Sequence, residues 1–229
     1  MINNTMFLTA CSLFYSILLI IFVFRKISEK NKFKDKMYKG LIISNFFGIL
    51  IELFCVYTCV NYKTLPTLTM ISLKAFLIYL LSWITIFTLY IFGISYQDQR
   101  ILKLQKIVKN LAIIGFLLAS IIVSILPMDY IIKNDVIMYT SGSSVQFVYF
   151  VSELLVILCL FFMFRNTKTF KGQKYAPLFM FIAGGAFVMI VQAMHPELLL
   201  MTSMETFITF LIYFTSEKEA VQKLKEEKK

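Results

Sequence analysis

The sequence predicts an all-α integral membrane protein, a bundle of seven transmembrane helices with its N-terminus outside and its C-terminus in the cytoplasm. Hydrophobic residues make up 59% of the 229 residues, well above the roughly 45–50% apolar content of soluble domains. Apolar runs of roughly 20 residues recur along the whole chain, and that length crosses the hydrocarbon core of a bilayer. Lysine and arginine are concentrated in the segments between alternate apolar runs, and this distribution predicts the orientation of the bundle in the membrane.

Seven apolar segments form the predicted transmembrane domain, residues 1–214. Its spans cover residues 6–24, 41–60, 70–92, 111–126, 145–164, 177–192 and 198–214. Between the fourth and fifth spans, turn-forming residues such as Ser141-Gly142-Ser143 predict a small cap over the bundle. Residues 215–229 contain neither Pro nor Gly, and they favour a charged cytoplasmic helix that continues span seven. We expect Thr215, Val221 and Leu224 on this helical stub to carry the output signal.

The distribution of basic residues predicts the topology. Segments 25–40, 93–110, 165–176 and 215–229 contain seven, four, four and five Lys/Arg residues, twenty together. The opposite side has only Lys63 and Lys133, and Lys74 lies within span three. The positive-inside rule therefore places the twenty in the cytoplasm. In short loops this charge sets orientation and contacts anionic lipid, so we expect the bilayer, and no nucleic acid, as its partner.

Three carboxylates inside the predicted spans are the candidate functional residues, because ionisable groups in a membrane are costly. Glu52, Glu153 and Glu205 all lie about 10–12 Å below the outer boundary, at 1.5 Å of rise per residue. Each belongs to a polar or small stripe at helical spacing, which lipid cannot satisfy and which should face the bundle interior. The stripes consist of Asn45, Gly48, Glu52, Cys55 and Cys59; of Gln146, Tyr149 and Glu153; and of Thr202, Glu205 and Thr209.

Two interpretations of these stripes remain open. In the first, they line an outward-facing pocket for a cationic or polar ligand or a proton, with Lys74 offsetting one carboxylate and Gln192 and His195 at the rim. In the second, they are separate interhelical hydrogen bonds, which are common in membrane bundles. A single histidine makes a weak metal site, so we predict neither a metal nor a cofactor.

Sequence motifs for catalysis are absent. Span seven has no lysine that could hold retinal, and the chain has no Gly-rich phosphate loop, zinc-hydrolase motif or nucleophile triad. We therefore expect no enzymatic activity from this chain itself.

The second half of the chain, within roughly residues 135–215, contains a set of recognisable motifs. They are Tyr139-Thr140-Ser141-Gly142, Phe147-Val148-Tyr149, the basic Lys171–Lys174 loop before Pro177-Leu178-Phe179, Gln192, Pro196, Leu199-Leu200-Met201-Thr202-Ser203, Glu205-Thr206-Phe207 and Tyr213-Phe214-Thr215. With these motifs the chain resembles the N-terminal seven-helix sensor region of Gram-positive bacterial sensor histidine kinases; related sensor regions also precede diguanylate cyclase domains. In these relatives an Asn-Pro linker and a kinase dimerisation helix follow, whereas here Ser216-Glu217-Lys218 follows.

The resemblance implies a bacterial plasma-membrane sensor module, either a sensor fragment or a stand-alone receptor, that works as a homodimer through its helices and tail. The outward polar pocket would then bias the position of helix seven and of its cytoplasmic extension. The rival hypothesis is a small ion- or proton-coupled transporter or channel built on the same carboxylates. A transporter predicts polar lining that reaches the cytoplasmic face, yet spans four to six are almost wholly apolar there.

Overall fold

The computed structural model describes residues 2–26, 32–96, 102–133, 136–165, 176–194 and 200–226. Seven α-helices account for most of this part of the chain, as the sequence predicts. In chain order they are α1 (Ile2–Lys26), α2 (Lys32–Val60), α3 (Pro66–Ser95), α4 (Leu102–Ile125), α5 (Ser143–Arg165), α6 (Ala176–Met194) and α7 (Met201–Glu226).

Four of these helices, α2 to α5, are long and apolar enough to cross a membrane. The apolar segments described in α1 and α7, Thr9–Ile21 and Met201–Phe214, are shorter. Helix α2 begins at Lys32 and α4 at Leu102, well before the predicted spans at 41 and 111, since a helix continues past its apolar part. Helix α7 runs without a break to Glu226, through the charged segment that follows Phe214.

A β-hairpin joins α4 to α5, in the region where the sequence predicts a small cap. Strands β1 (Asp129–Lys133) and β2 (Val136–Ser141) pair antiparallel, with an irregularity in register between Ile131 and Ile132. Gly142 has φ +99° after β2, a conformation that favours glycine. The hairpin thus adds a small two-stranded sheet to the helical fold.

Helix α3 is the centre of the bundle and packs against α2, α4 and α5. Inside the protein, 61% of its apolar span is buried, against 11% for α4 and 17% for α5. Its Trp83 and Phe87 rings stack with centroids 5.2 Å apart, and Phe181 of α6 lies 4.8 Å from Phe87. Helix α1 packs on α2 and α7, and α6 packs on α7. A buried core therefore surrounds α3, whereas α4 and α5 are peripheral.

Candidate functional site: a carboxyl network between four helices

Glu52 links three helices through its two carboxyl oxygens. Its side chain is fully buried in α2. Thr9 of α1 donates a hydrogen bond to Oε1 at 2.7 Å, and Thr202 of α7 donates to Oε2. Because a buried carboxyl group needs partners, these hydroxyls fix the positions of α1 and α7 against α2.

Glu205 links α7 to the central helix. It lies three residues after Thr202 on the same face of α7, is 2% exposed, and accepts a hydrogen bond from the Tyr79 hydroxyl of α3. A Cβ atom at Gly48 of α2 would coincide with the end of the Tyr79 ring. The absence of a side chain at Gly48 therefore lets Tyr79 reach across α2 to α7, and it places the Glu205 carboxyl beside Gly48.

The network continues along α7 through hydroxyl groups. Thr206 donates to the Thr202 carbonyl at 2.7 Å and accepts from Asn45 Nδ2 at 2.9 Å. One turn on, Thr209 donates to the Glu205 carbonyl at 2.7 Å, and the Tyr38 hydroxyl donates to the Thr209 carbonyl at 3.1 Å. Ser12 of α1 and Ser203 are also hydrogen-bonded, at 2.8 Å. One face of α7 is thus polar and buried over two turns.

No lysine, arginine or histidine among the described residues pairs with Glu52 or Glu205; both carboxyl groups are held by hydroxyls. Hydroxyls donate to or accept from a carboxyl group, so this arrangement accommodates either protonation state. Two uncompensated charges at this depth would be costly, so the site favours a bound proton or cation. A change in the protonation or the bound cation of either carboxyl group acts directly on α7, because Glu52 bonds Thr202 of α7 and Glu205 belongs to α7.

The structure brings Glu52, Glu205 and Thr202 into one site, and it places the third carboxylate elsewhere. Gln146, Tyr149 and Glu153 are all exposed on the outer face of α5, with Tyr149 59% exposed. The prediction that this stripe faces the bundle interior is therefore wrong. Equal depth does not fix the rotation of a helix about its axis, and α5 turns its buried face, which carries Val148 and Cys159, towards α3.

Lys74 does not offset a carboxylate. Its Nζ donates to the carbonyl of Ser124 at 2.5 Å and to that of Leu126 at 3.1 Å, which are carbonyl groups at the C-terminal end of α4. Such carbonyls lack intrahelical partners and attract a cation. The long lysine side chain therefore turns towards α4, away from α7.

For the remaining predicted residues, the structure describes either the backbone alone or nothing. His195 lies outside the described residues, and Gln192 belongs to α6 with its side chain outside them. Thr215, Val221 and Leu224 all belong to α7, but their side chains lie outside the described part of the structure. The predicted rim and output contacts stay predictions.

Thr9 and Tyr79 are the two residues of the carboxyl network that the sequence does not single out. A threonine near the start of a span, or a tyrosine within one, is too common in membrane helices to single out. The available signal for Tyr79 was Gly48, a glycine on the same stripe as Glu52. Such a residue indicates a close approach by a neighbouring group.

Among the described residues, no group of three or more His, Cys, Asp or Glu side chains could hold a metal ion. Oxygen donors are plentiful instead, from carboxyl, amide and hydroxyl groups. No protein-family model matches the chain, and no curated protein matches it significantly in sequence.

Proposed function

We propose that this chain is the sensor module of a bacterial signal-transduction receptor of the histidine-kinase type, with seven helices across the plasma membrane. One observation carries the proposal. The buried carboxyl network ties α7 to α1, α2 and α3, and α7 continues without a break to Glu226. Because a helix is stiff along its axis, a shift of α7 at the network displaces its far end.

In this proposal, residues 1–214 form the sensor domain and residues 215–229 the cytoplasmic stub. The basic ends of the helices support the orientation. Lys103 and Lys106 lie at the start of α4, Arg165 lies at the end of α5, and the charged end of α7 lies at the same side if successive helices alternate. The hairpin between α4 and α5 then faces outward.

The mechanism is a shift between two arrangements of α7. When the occupant of the network, a small ligand or a proton, leaves, the buried carboxyl groups lose compensation of their charge, and their hydroxyl partners rearrange. A ligand shifts such an equilibrium only through its different affinity for the two arrangements. Here the difference arises at Glu52 and Glu205, since Thr202 and Glu205 itself belong to the moving helix.

The receptor works as a homodimer in this proposal, and the outer face of α5 supports association with a second copy. Glu153 lies near the middle of α5, about 15 Å from Ser143 at 1.5 Å per residue, and it is exposed on a face formed by Phe150, Leu154 and Ile157. Hydrocarbon cannot satisfy a carboxyl group. A neutral carboxyl group both donates and accepts hydrogen bonds. The Glu153 carboxyl groups of two copies related by a twofold axis can therefore hydrogen-bond to each other.

A chimera tests the proposed function. Residues 1–226 are fused to the output domain of a histidine kinase, and autophosphorylation is measured in membranes. We expect Glu52→Gln and Glu205→Gln to lock the output in one state. We expect Glu153→Gln to retain a switchable output, because the glutamine amide still donates and accepts hydrogen bonds across the proposed dimer face. If both network variants switch like the parent chimera, the proposal is wrong.

A small ion- or proton-coupled transporter or channel is the second candidate. The observation that favours it is the continuation of the polar chain past Glu205 to Thr209 and Tyr38, towards the basic end of α2. Ion or proton flux into proteoliposomes that depends on Glu205 would support this candidate. A lack of flux together with a switchable chimera supports the sensor.

A further inference from the structure

Two buried polar atoms beside the carboxyl network have no hydrogen-bond partner in the described part of the chain: Asn45 Oδ1 and Ser16 Oγ. Both side chains are fully buried. The orientation of the Asn45 amide follows from its neighbour. Thr206 uses its only hydrogen on the Thr202 carbonyl, so it accepts from Nδ2, and Oδ1 remains the unpaired acceptor. An unpaired acceptor at zero exposure needs an explanation.

The two atoms lie in the same layer of the bundle. Thr9 of α1 meets Glu52 of α2, and the two helices run in opposite directions. Ser16 follows Thr9 by seven residues and Asn45 precedes Glu52 by seven, which brings both to one level, two helical turns from the Thr9–Glu52 contact.

Helix α7 supplies the third side of this layer. Helices α1 and α7 run in the same direction, because Ser12 contacts Ser203 and Tyr15 contacts Phe210. The segment of α7 at the level of Ser16 therefore includes Thr206, which Asn45 contacts.

An ionisable group adjoins the layer. The Glu205 carboxyl lies beside Gly48, and Gly48 lies between Asn45 and Glu52 on the buried face of α2. The layer thus combines an amide oxygen, hydroxyl oxygens and a carboxyl group, with no basic side chain paired to either carboxyl group in the described residues. All of these are oxygen ligands.

We propose that a small monovalent cation, Na⁺, binds between α1, α2 and α7, with Asn45 Oδ1, Ser16 Oγ and the Glu205 carboxyl as its ligands. A proton would neutralise one carboxyl group and leave the amide oxygen unpaired, whereas a cation satisfies several acceptors at once. A divalent ion is a poorer match. Mg²⁺ keeps several waters and Ca²⁺ takes six to eight oxygens, whereas both oxygens of Glu52 and one of Glu205 already accept hydrogen bonds from hydroxyls.

This inference names the occupant of the proposed sensing network, so its regulatory role rests on the proposed function, whereas the binding does not. Bound Na⁺ compensates the charge of Glu205 and holds α7 against α1 and α2. Loss of the ion then releases the contact from which the proposed shift of α7 begins.

The test measures thermal unfolding of the purified full chain in nanodiscs against increasing NaCl, with choline chloride keeping the ionic strength constant. We expect a saturable rise in Tm with Na⁺, a weaker rise with K⁺, and none with choline. Binding of ²²Na⁺ to the same sample gives the affinity directly.

Ser16→Ala is the decisive variant, because Ser16 Oγ has no hydrogen-bond partner among the described residues whose loss would disturb folding. It should leave the Tm in choline unchanged and weaken Na⁺ binding roughly tenfold, as expected for loss of one interaction with a charged group. Ser120→Ala is the matched control, since the Ser120 hydroxyl donates to the Phe116 carbonyl of its own helix, outside the proposed site. Its Na⁺ affinity should equal that of the parent chain.

Equal effects of Na⁺ and choline, or an unchanged Na⁺ affinity in Ser16→Ala, would overturn the cation site. Its failure is distinguishable from failure of the proposed function. If Na⁺ does not bind and Glu205→Gln still locks the kinase chimera, only the cation inference is wrong. If Na⁺ binds and the chimera does not respond to Glu205→Gln, only the sensor proposal is wrong.

Discussion

Gly48 decides whether the two buried carboxyl groups belong to one network. Any side chain there would occupy the space of the Tyr79 ring end, and the Tyr79 hydroxyl donates the hydrogen bond that joins Glu205 to α3. A residue without a side chain therefore places a hydrogen bond between α3 and α7.

Gly48→Ala should destabilise the protein. The added methyl group displaces the Tyr79 ring and breaks its bond to Glu205, with an overpacking cost of about 1–3 kcal/mol. Thermal unfolding in nanodiscs measures the loss. Gly115→Ala is the control, because nothing lies within 4 Å of its Cβ position; alanine there should stabilise α4 by about 0.5–1 kcal/mol. Equal Tm changes in the two variants would contradict the packing described for Tyr79.

Tyr79→Phe should cost about 1–3 kcal/mol of stability, since it leaves the buried Glu205 carboxyl without its donor. The loss should shrink in a Glu205→Gln background, which a double-mutant cycle measures. Tyr57→Phe controls for the loss of a hydroxyl at a side chain that is 54% exposed, and its stability should stay unchanged. Additive effects of Tyr79→Phe and Glu205→Gln would show that the two groups do not interact.

At this scale the sequence predicts Glu52, Glu205 and Thr202 as members of the site, and it misses the other two hydrogen-bond donors to the carboxyl groups, Thr9 and Tyr79. Glu52 and Glu205 are conspicuous because carboxylates are rare in apolar helices. Thr9 and Tyr79 are ordinary residues there, and only the packing of α1 and α3 shows which way they point. The unpaired Asn45 oxygen is likewise visible only once Thr206 is placed beside it.

Among the helices, α4 shows how one long side chain stabilises the end of an element. Lys74 of α3 donates to two carbonyls at the C-terminal end of α4, a helix that is otherwise poorly buried.

Lys74→Met keeps the aliphatic part of the side chain and removes both hydrogen bonds. We expect a loss of about 1–3 kcal/mol, as for removal of a charged donor, and faster hydrogen exchange at Ser124–Leu126. Lys103→Met, at an exposed position near the start of α4, should leave both quantities unchanged. Identical exchange at the end of α4 in the parent and Lys74→Met would argue against the cap.

The elements also show where sequence periodicity stops being informative. Helix positions follow from apolar runs, but the rotation of α5 about its axis does not, because nearly all of its faces are apolar. The hairpin is missed for a related reason. Its strands are only five and six residues long, and their pairing depends on the turn between them.

At the scale of the whole molecule, the carboxyl network and the hairpin belong to one bundle packed around α3. Its orientation in the membrane is inferred from the distribution of basic residues. The positive-inside bias predicts that the start of α4 lies in the cytoplasm and the hairpin outside.

Single cysteines in a cysteine-free background test that orientation. A membrane-impermeant maleimide should label Tyr139→Cys in the hairpin from outside intact cells. It should label Lys106→Cys in α4 only after permeabilisation; both side chains are exposed. The opposite labelling pattern would reverse the proposed topology.

The most direct test of the central claim is a distance measurement across the bundle. Spin labels at Lys106→Cys in α4 and Lys223→Cys in α7, diluted with unlabelled chain in nanodiscs, report where the end of α7 lies. Electron–electron double resonance should give a shifted distance distribution for Glu205→Gln and an unchanged one for Glu153→Gln, because only Glu205 belongs to the network. Coincident distributions in the parent chain and both variants would contradict the coupling of the carboxyl network to α7.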